Sequence, residues 1–226
     1  MSPPAPKKPS TRRGFSTEQV ALTALRVLDE RGAAGLSVRA VATELGINPN
    51  ALYTYVRSRE DLERLVVESV LAEVPHRASR GTWQSRIRGL CLDVHAALVR
   101  HPGAAQLFMN APMDGPQAME LGEGLLRELT KAGLPPAQAS RAAYTLIVQV
   151  IGFAALAMAE TDGTVPLTPE SERIAGRRAG LEFVPAETHP LTAATRDTAA
   201  AWVGEAQLRW SVDRLLEGFA ALADAP

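Results

Sequence analysis

Between Ser37 and Val56 the chain sets two short helices on either side of a turn with almost no slack, and no other feature constrains the fold as much. Ser37 is a favoured N-cap, Leu36 and Val41 can staple across it, and Val38, Val41, Ala42 and Leu45 form a core face over barely two turns. Gly46 stops this helix and can supply the positive φ that the turn needs, while Ile47 can plug the angle between the helices. Asn48 is again a favoured N-cap, and Pro49 takes the first helical position, where a missing N–H costs nothing. A third helix, to about Val56, is therefore expected at once. Its exposed positions are Asn50, Tyr53 and Thr54, around Ala51, Leu52 and Val56, which read as buried. These residue types at this spacing describe a helix-turn-helix. The second helix of such a unit fits the major groove of duplex DNA, about 12 Å wide, with its first residues at base edges. An ordinary helical hairpin is the alternative, and the basic flank with exposed Tyr, Asn and Arg weighs against it.

The rest of the chain reads as helix throughout, without strand alternation or an internal repeat. Ser16 and Gln19 make a capping box, Phe15 can staple onto Val20, and Val20, Ala21, Ala24, Leu25 and Leu28 form the stripe of a first helix closing at Arg31 and Gly32. Ser58 with Asp61 opens a fourth, carried by Leu62, Leu65, Val66 and Val70 to about Val74. Further helices are expected at roughly 82–100, 103–110, 115–132, 136–160 and 199–223. Residues 162–197, with Pro166, Pro169, Pro185 and Pro190, break the pattern and are expected as a mobile loop. The predicted fold is all-α: a disordered basic arm at 1–14, a three-helix head with a helix-turn-helix at 15–60, and a helical body at 61–226.

Charge and composition narrow the function. The first 60 residues hold nine Lys/Arg against five Asp/Glu, a balance of +4, which leaves −5 on the remainder of a chain whose net charge is −1. A basic head on an acidic body points to a polyanionic partner for the head. Lys7, Lys8, Arg12 and Arg13 are either a groove-reaching arm or a solvated tail. Cys91 is the only cysteine, so neither an intramolecular disulfide nor a cysteine zinc site is available, and a cytoplasmic setting is expected. The basic N-terminus has no apolar run behind it, and no stretch reads as a membrane span. There is no phosphate loop, no GxSxG and no metal cluster, and His76, His95, His101 and His189 are scattered. Neither catalysis, metal nor cofactor is expected.

The run SVRAVATELGINPNALYTYVRSREDLERLV (37–66) resembles the DNA-binding head of the TetR family of transcriptional regulators, and the likeness covers about 15–74. TWQSRIR at 82–88, HPGAAQL at 101–107 and WSVDRLLEGFAAL at 210–222 are similar to the tetracycline-repressor-like C-terminal class. The resemblance implies a repressor that grips a palindromic operator as a homodimer and is released by a small molecule. It places Asn48, Pro49, Asn50 and Ala51 nearest the bases, adds Arg39 from the preceding helix, and gives the phosphates to Tyr53, Tyr55 and Arg59; Ser37 and Thr54 complete the DNA-facing set. Arginine can clasp guanine and asparagine adenine, while tyrosine hydroxyls fix register on the backbone. The alternative for Tyr53 is a half-buried core aromatic, and for Tyr55 packing inward against the first helix.

For the dimer, the resemblance implies a four-helix bundle from helix 136–160 and the last helix of each subunit. The candidate contacts are Ala139, Ala143, Ile147 and Val150 with Leu208, Val212, Leu215 and Phe219; an intramolecular core is the rival for each. The candidate ligand pocket comprises Leu90, Val94, Leu107, Phe108, Asn110, Met113, Phe153 and Leu156, with Gln149 and Trp202 nearby. Where tetracycline repressors carry a pocket histidine, asparagine and magnesium-linked glutamate, this chain offers Leu107, Leu90 and Leu156. A mostly apolar effector is therefore expected rather than magnesium-tetracycline. A ligand-independent architectural protein with the same head is the remaining alternative, and a body without a ligand-sized cavity would favour it.

Overall fold

The structure, a computed structural model, describes residues 14–75, 81–160 and 168–223. Among these residues there are twelve helices and no strand. The predicted N-terminal arm and His76 lie outside them, apart from Gly14.

The first three helices follow their signals. α1 (Thr17–Gly35) opens on the Ser16–Gln19 capping box, the Ser16 hydroxyl accepting from the Gln19 amide at 3.1 Å and the Gln19 side chain accepting from the Ser16 amide at 2.9 Å. It runs three residues past the predicted stop, although its backbone breaks at Gly32, where φ is 65°. α2 (Val38–Glu44) is capped by Ser37 and closed by Gly46 at φ 67°, a left-handed conformation that favours glycine. α3 (Pro49–Leu52) is one turn only, shorter than predicted; a turn carries the chain from Tyr53 to Tyr55. α4 (Arg59–Ala72) buries Leu62, Val66 and Val70 and packs on α1 on one side and on the body helices on the other.

The body is α5 (Trp83–Arg100), α6 (Ala104–Asn110), α7 (Pro116–Lys131), α8 (Pro136–Met158), α9 (Glu170–Leu181), α10 (Pro190–Ala194), α11 (Arg196–Ala200) and α12 (Glu205–Ala223). α8 packs against α5, α6, α7 and α12, and one contiguous core runs from Val20 to Leu216.

Two expectations for the body fail. The predicted loop holds three helices, α9 to α11, within its described part. Pro190 stands at the start of α10 and Pro169 caps α9, so these prolines begin helices instead of breaking them. Arginines then tie the segment together: Arg177 donates to the Ala200 carbonyl at 2.6 Å, Arg178 to Asp197 at 2.6 Å and Arg196 to the Val184 carbonyl at 2.8 Å. The last helix accordingly begins at Glu205, not 199. The second failure is α8 itself, 23 residues long, in which an 18-residue stretch at mean hydropathy 1.6 does reach the length and apolarity of a membrane span. It needs that composition because both of its faces are apolar: one is core, the other open to solvent.

Candidate functional site

α3 has a single inward anchor. Leu52 is fully buried and Val56 nearly so, which fixes the turn against the head core. One residue earlier on the helix, Ala51 points outward, correcting the sequence expectation of burial; Asn48, Asn50, Tyr53 and Thr54 share that exposed surface, and Pro49 is half-buried. Asn48 spends its side-chain oxygen on the Asn50 amide at 2.9 Å, and Thr54 donates to the Ala51 carbonyl at 2.7 Å, so both also serve the turn's own geometry. The Asn50 amide group and the Tyr53 ring, 51% exposed, stand clear of the core. Arg39 is exposed on α2 beside them.

Three residues assigned to DNA are engaged elsewhere. The Ser37 hydroxyl accepts from the Ala40 amide at 3.1 Å as the α2 cap. Tyr55 is half-buried and packs on the core. Arg59 turns back along α4, donating to Glu63 at 2.7 Å and to the Ala33 carbonyl at 3.0 Å. Arg57, which the sequence reading passed over, has an exposed side chain close by.

In the body, an apolar chamber lies between α5, α6, α7 and α8. Leu90, Cys91, Val94, Phe108, Met113, Leu121, Leu125, Leu146, Ile147, Val150 and Ile151 line it. The space open to the centre of a water molecule is about 20 Å³, room for a single water. Burial pushes the Cys91 thiol up to about 12, so it stays neutral in this wall. Leu90 and Leu121 also face an outer groove of about 210 Å³ that carries Gln117 and Glu120, and thus separate the two spaces.

Of the ten residues predicted for the pocket, Leu90, Val94, Phe108 and Met113 line the chamber. Leu107 is buried outside it and Phe153 packs half-buried against the core. Asn110 is exposed and donates to the Gln106 carbonyl at 3.0 Å; Gln149 donates to Ser211 at 3.1 Å. Leu156 and Trp202, 58% and 59% exposed, face solvent. The missed wall is α7, where Leu121 and Leu125 sit one turn apart, a spacing visible in the sequence but not distinguishable there from plain core.

Five of the eight predicted dimer contacts are taken up by the chain's own core. Ala139, Ala143, Val150, Leu208 and Val212 are buried in the chain's own core, Ile147 and Val150 line the chamber, and Leu215 and Phe219 pack half-buried against the core. The exposed stripe of α8 is instead Tyr144, Val148, Gly152 and Leu156, and that of α12 is Ala206, Trp210, Arg214, Gly218 and Leu222, each at four-residue spacing. Arg214 lies over the Trp210 ring, 5.9 Å from its centre.

α4 is tied to the chamber walls. Both carboxylate oxygens of Glu68 cap α7, accepting from the Gln117 and Ala118 amides at 2.7 and 3.1 Å, and Arg64 donates to Asp114 at 2.7 Å. His95 is buried, and its Nε2 has no hydrogen-bond partner among the described residues; burial holds it below the ordinary histidine value.

Comparison with known proteins adds to this geometry. Residues 22–64 match the domain described as bacterial regulatory proteins, tetR family, and residues 74–222 the tetracyclin repressor-like, C-terminal domain. The HTH-type transcriptional repressor DrrR1 of Streptomyces coeruleorubidus is 30% identical over 142 residues, 62% of this chain and 53% of that protein. The chain thus spans about half of that relative's length. ActR, a TetR family protein of Streptomyces coelicolor solved with actinorhodin, superposes with a TM-score of 0.77 at 23% identity, over 94% of this chain and 100% of that one. BioQ, solved with its double-stranded DNA operator, gives a TM-score of 0.66 at 22% identity, over 92% and 99%. At these identities the two structures establish the fold.

Proposed function

Because the chain belongs to the TetR family of bacterial regulatory proteins, we propose that it is a transcriptional repressor that holds a palindromic operator as a homodimer and lets go when an apolar small molecule enters its body. The observation that carries this reading is the outward surface of α3, where Asn50, Ala51 and Tyr53 stand free on a turn pinned from behind by Leu52. BioQ was solved on its operator and ActR with actinorhodin, which supports a DNA partner and a small-molecule partner for this chain.

One turn of helix reads few base pairs, so two heads on a two-fold axis are required, roughly 34–36 Å apart on one face of B-DNA. The exposed stripes of α8 and α12 supply that pairing. Tyr144 and Trp210, 69% and 57% exposed, lose their unfavourable contact with water in a four-helix bundle formed with a second copy. The ligand enters by displacing Leu90 and Leu121 and widens the chamber. Glu68 transmits the movement of α7 to α4, and α4 carries the head. A ligand that prefers the widened body then weakens DNA binding, and DNA weakens ligand binding by the same factor. The protein acts as a cytoplasmic regulator and not as an enzyme.

The chamber's small volume is the one observation that favours a ligand-independent regulator instead. Selection from random duplexes, then screening of apolar molecules for release, separates the readings. Enrichment of an inverted repeat is expected, and no symmetric enrichment would overturn the operator assignment.

A further inference from the structure

His101 stands where the body meets the head. It ends α5, and the buried corner that follows, Pro102–Ala104, is pressed so closely on α1 that a Cβ on Gly103 would lie 2.8 Å from Leu28 Cδ1. Its Nδ1 lies 3.0 and 2.9 Å from the two carboxylate oxygens of Asp29 on α1. Its Nε2 lies 2.9 Å from Oε1 of Glu73, the residue that ends α4. Oε2 of Glu73 accepts from Arg100 at 2.8 Å. A carboxylate only accepts, and a neutral imidazole donates from one nitrogen alone, so both contacts are hydrogen bonds only when the ring is charged.

Burial opposes that charge, but the hydrogen bonds and charges of Asp29 and Glu73 outweigh it and hold His101 above the ordinary histidine value. Burial likewise raises Glu73, and the bonds from Arg100 and His101 bring it below the usual carboxylate value. The other charged groups here are Arg26 of α1, which shares an open groove with Asp29 and His101, and Arg100 of α5; α6 brings no titratable side chain.

We propose that His101 is a proton-operated latch between body and DNA-facing head, closed when its ring bridges Asp29 of α1 and Glu73 of α4. Closed, it fixes the two long head helices, and with them α2 and α3, against the α5–α6 corner. Deprotonated, the ring turns a lone pair toward a carboxylate and the bridge opens. The closed state is therefore fully favoured below the ordinary histidine value and lost as pH rises through the raised one. A latched head holds its separation from its twin before DNA arrives, so operator affinity is greater on the acid side. This inference rests on the DNA-binding reading above.

The test measures affinity of the full chain for its selected operator at constant ionic strength from about pH 6 to about pH 8.5, for wild type, His101→Gln and His101→Arg, with melting temperatures as a folding control. Wild type is expected to lose about fivefold or more in affinity across this range. His101→Gln should be flat at the weak value. His101→Arg, which keeps a charge at every pH, should be flat near the strong one. In parallel, an NMR titration of the His101 ring should give a pKa above the ordinary histidine value in wild type and a lower one in Asp29→Asn. A wild-type pH profile no steeper than that of His101→Gln, or a His101 ring titrating at its ordinary value, overturns the latch. Failure to bind any duplex refutes the DNA reading instead, and the ring titration still decides the bridge.

Discussion

Truncating Leu52 to alanine tests what holds the recognition turn in place. Leu52 is the one buried residue of α3, and its carbonyl accepts from the Tyr55 and Val56 amides at 2.9 and 3.1 Å. Removing three buried carbons at about 0.8 kcal/mol each costs about 2.4 kcal/mol, and the residual cavity takes the total into the range of roughly 2–5 kcal/mol. The transfer part alone is a factor of roughly fifty in an equilibrium constant. If the turn opens locally, hydrogen exchange of the Tyr55 and Val56 amides should accelerate by about that factor in the folded variant. Leu129→Ala makes the same chemical change at an equally buried site in the body that does not line the chamber, and should leave those two amides within about twofold. Operator affinity should fall in the first variant and hold in the second. Equal acceleration by both would show that α3 opens only when the whole chain unfolds, and would refute the argument that Leu52 holds it locally.

Asn50→Ala should relax preference at one operator position, at a cost of about 1–3 kcal/mol against the best site; equal losses on specific and random duplexes would remove Asn50 from base readout. Tyr144→Glu combined with Trp210→Glu should yield a folded monomer in sedimentation, because two charges would be buried on the two-fold axis, and a persistent dimer would place the interface elsewhere. At about pH 8 the thiolate fraction of Cys91 is roughly one in ten thousand, since its pKa is about 12, so iodoacetamide should label the unfolded chain and spare the native one. Fast native labelling would mean that the chamber opens freely. Glu68→Gln should leave operator binding nearly intact while blunting release by any effector found, since it weakens the cap joining α4 to α7, and unchanged release would exclude this route.

The head was legible in the sequence because its signals are local. The Ser16–Gln19 box, the Ser37 cap, Gly46, and Asn48 before Pro49 each act within a few residues, and each stands in the structure where it was read. Helix positions in much of the body were legible for the same reason. Which way a body residue faces was not. Ala139, Ala143, Val150, Leu208 and Val212 are apolar like Tyr144, Val148 and Trp210, and only the packing of α8 among α5, α7 and α12 turns the first set inward and leaves the second facing solvent. Composition could not separate them, since α8 is apolar on both faces. Residues 168–197 misled for a related reason: prolines that break a helix midway begin one at its start, and the arginine bonds that tie this segment together link residues 12 to 23 positions apart. Arg59 and His101 were decided by tertiary structure alone. Arg59 is drawn from the DNA-facing side by the Ala33 carbonyl at the far end of α1, and His101 becomes a bridge because folding brings Asp29 and Glu73, 72 and 28 residues away in sequence, to its two ring nitrogens.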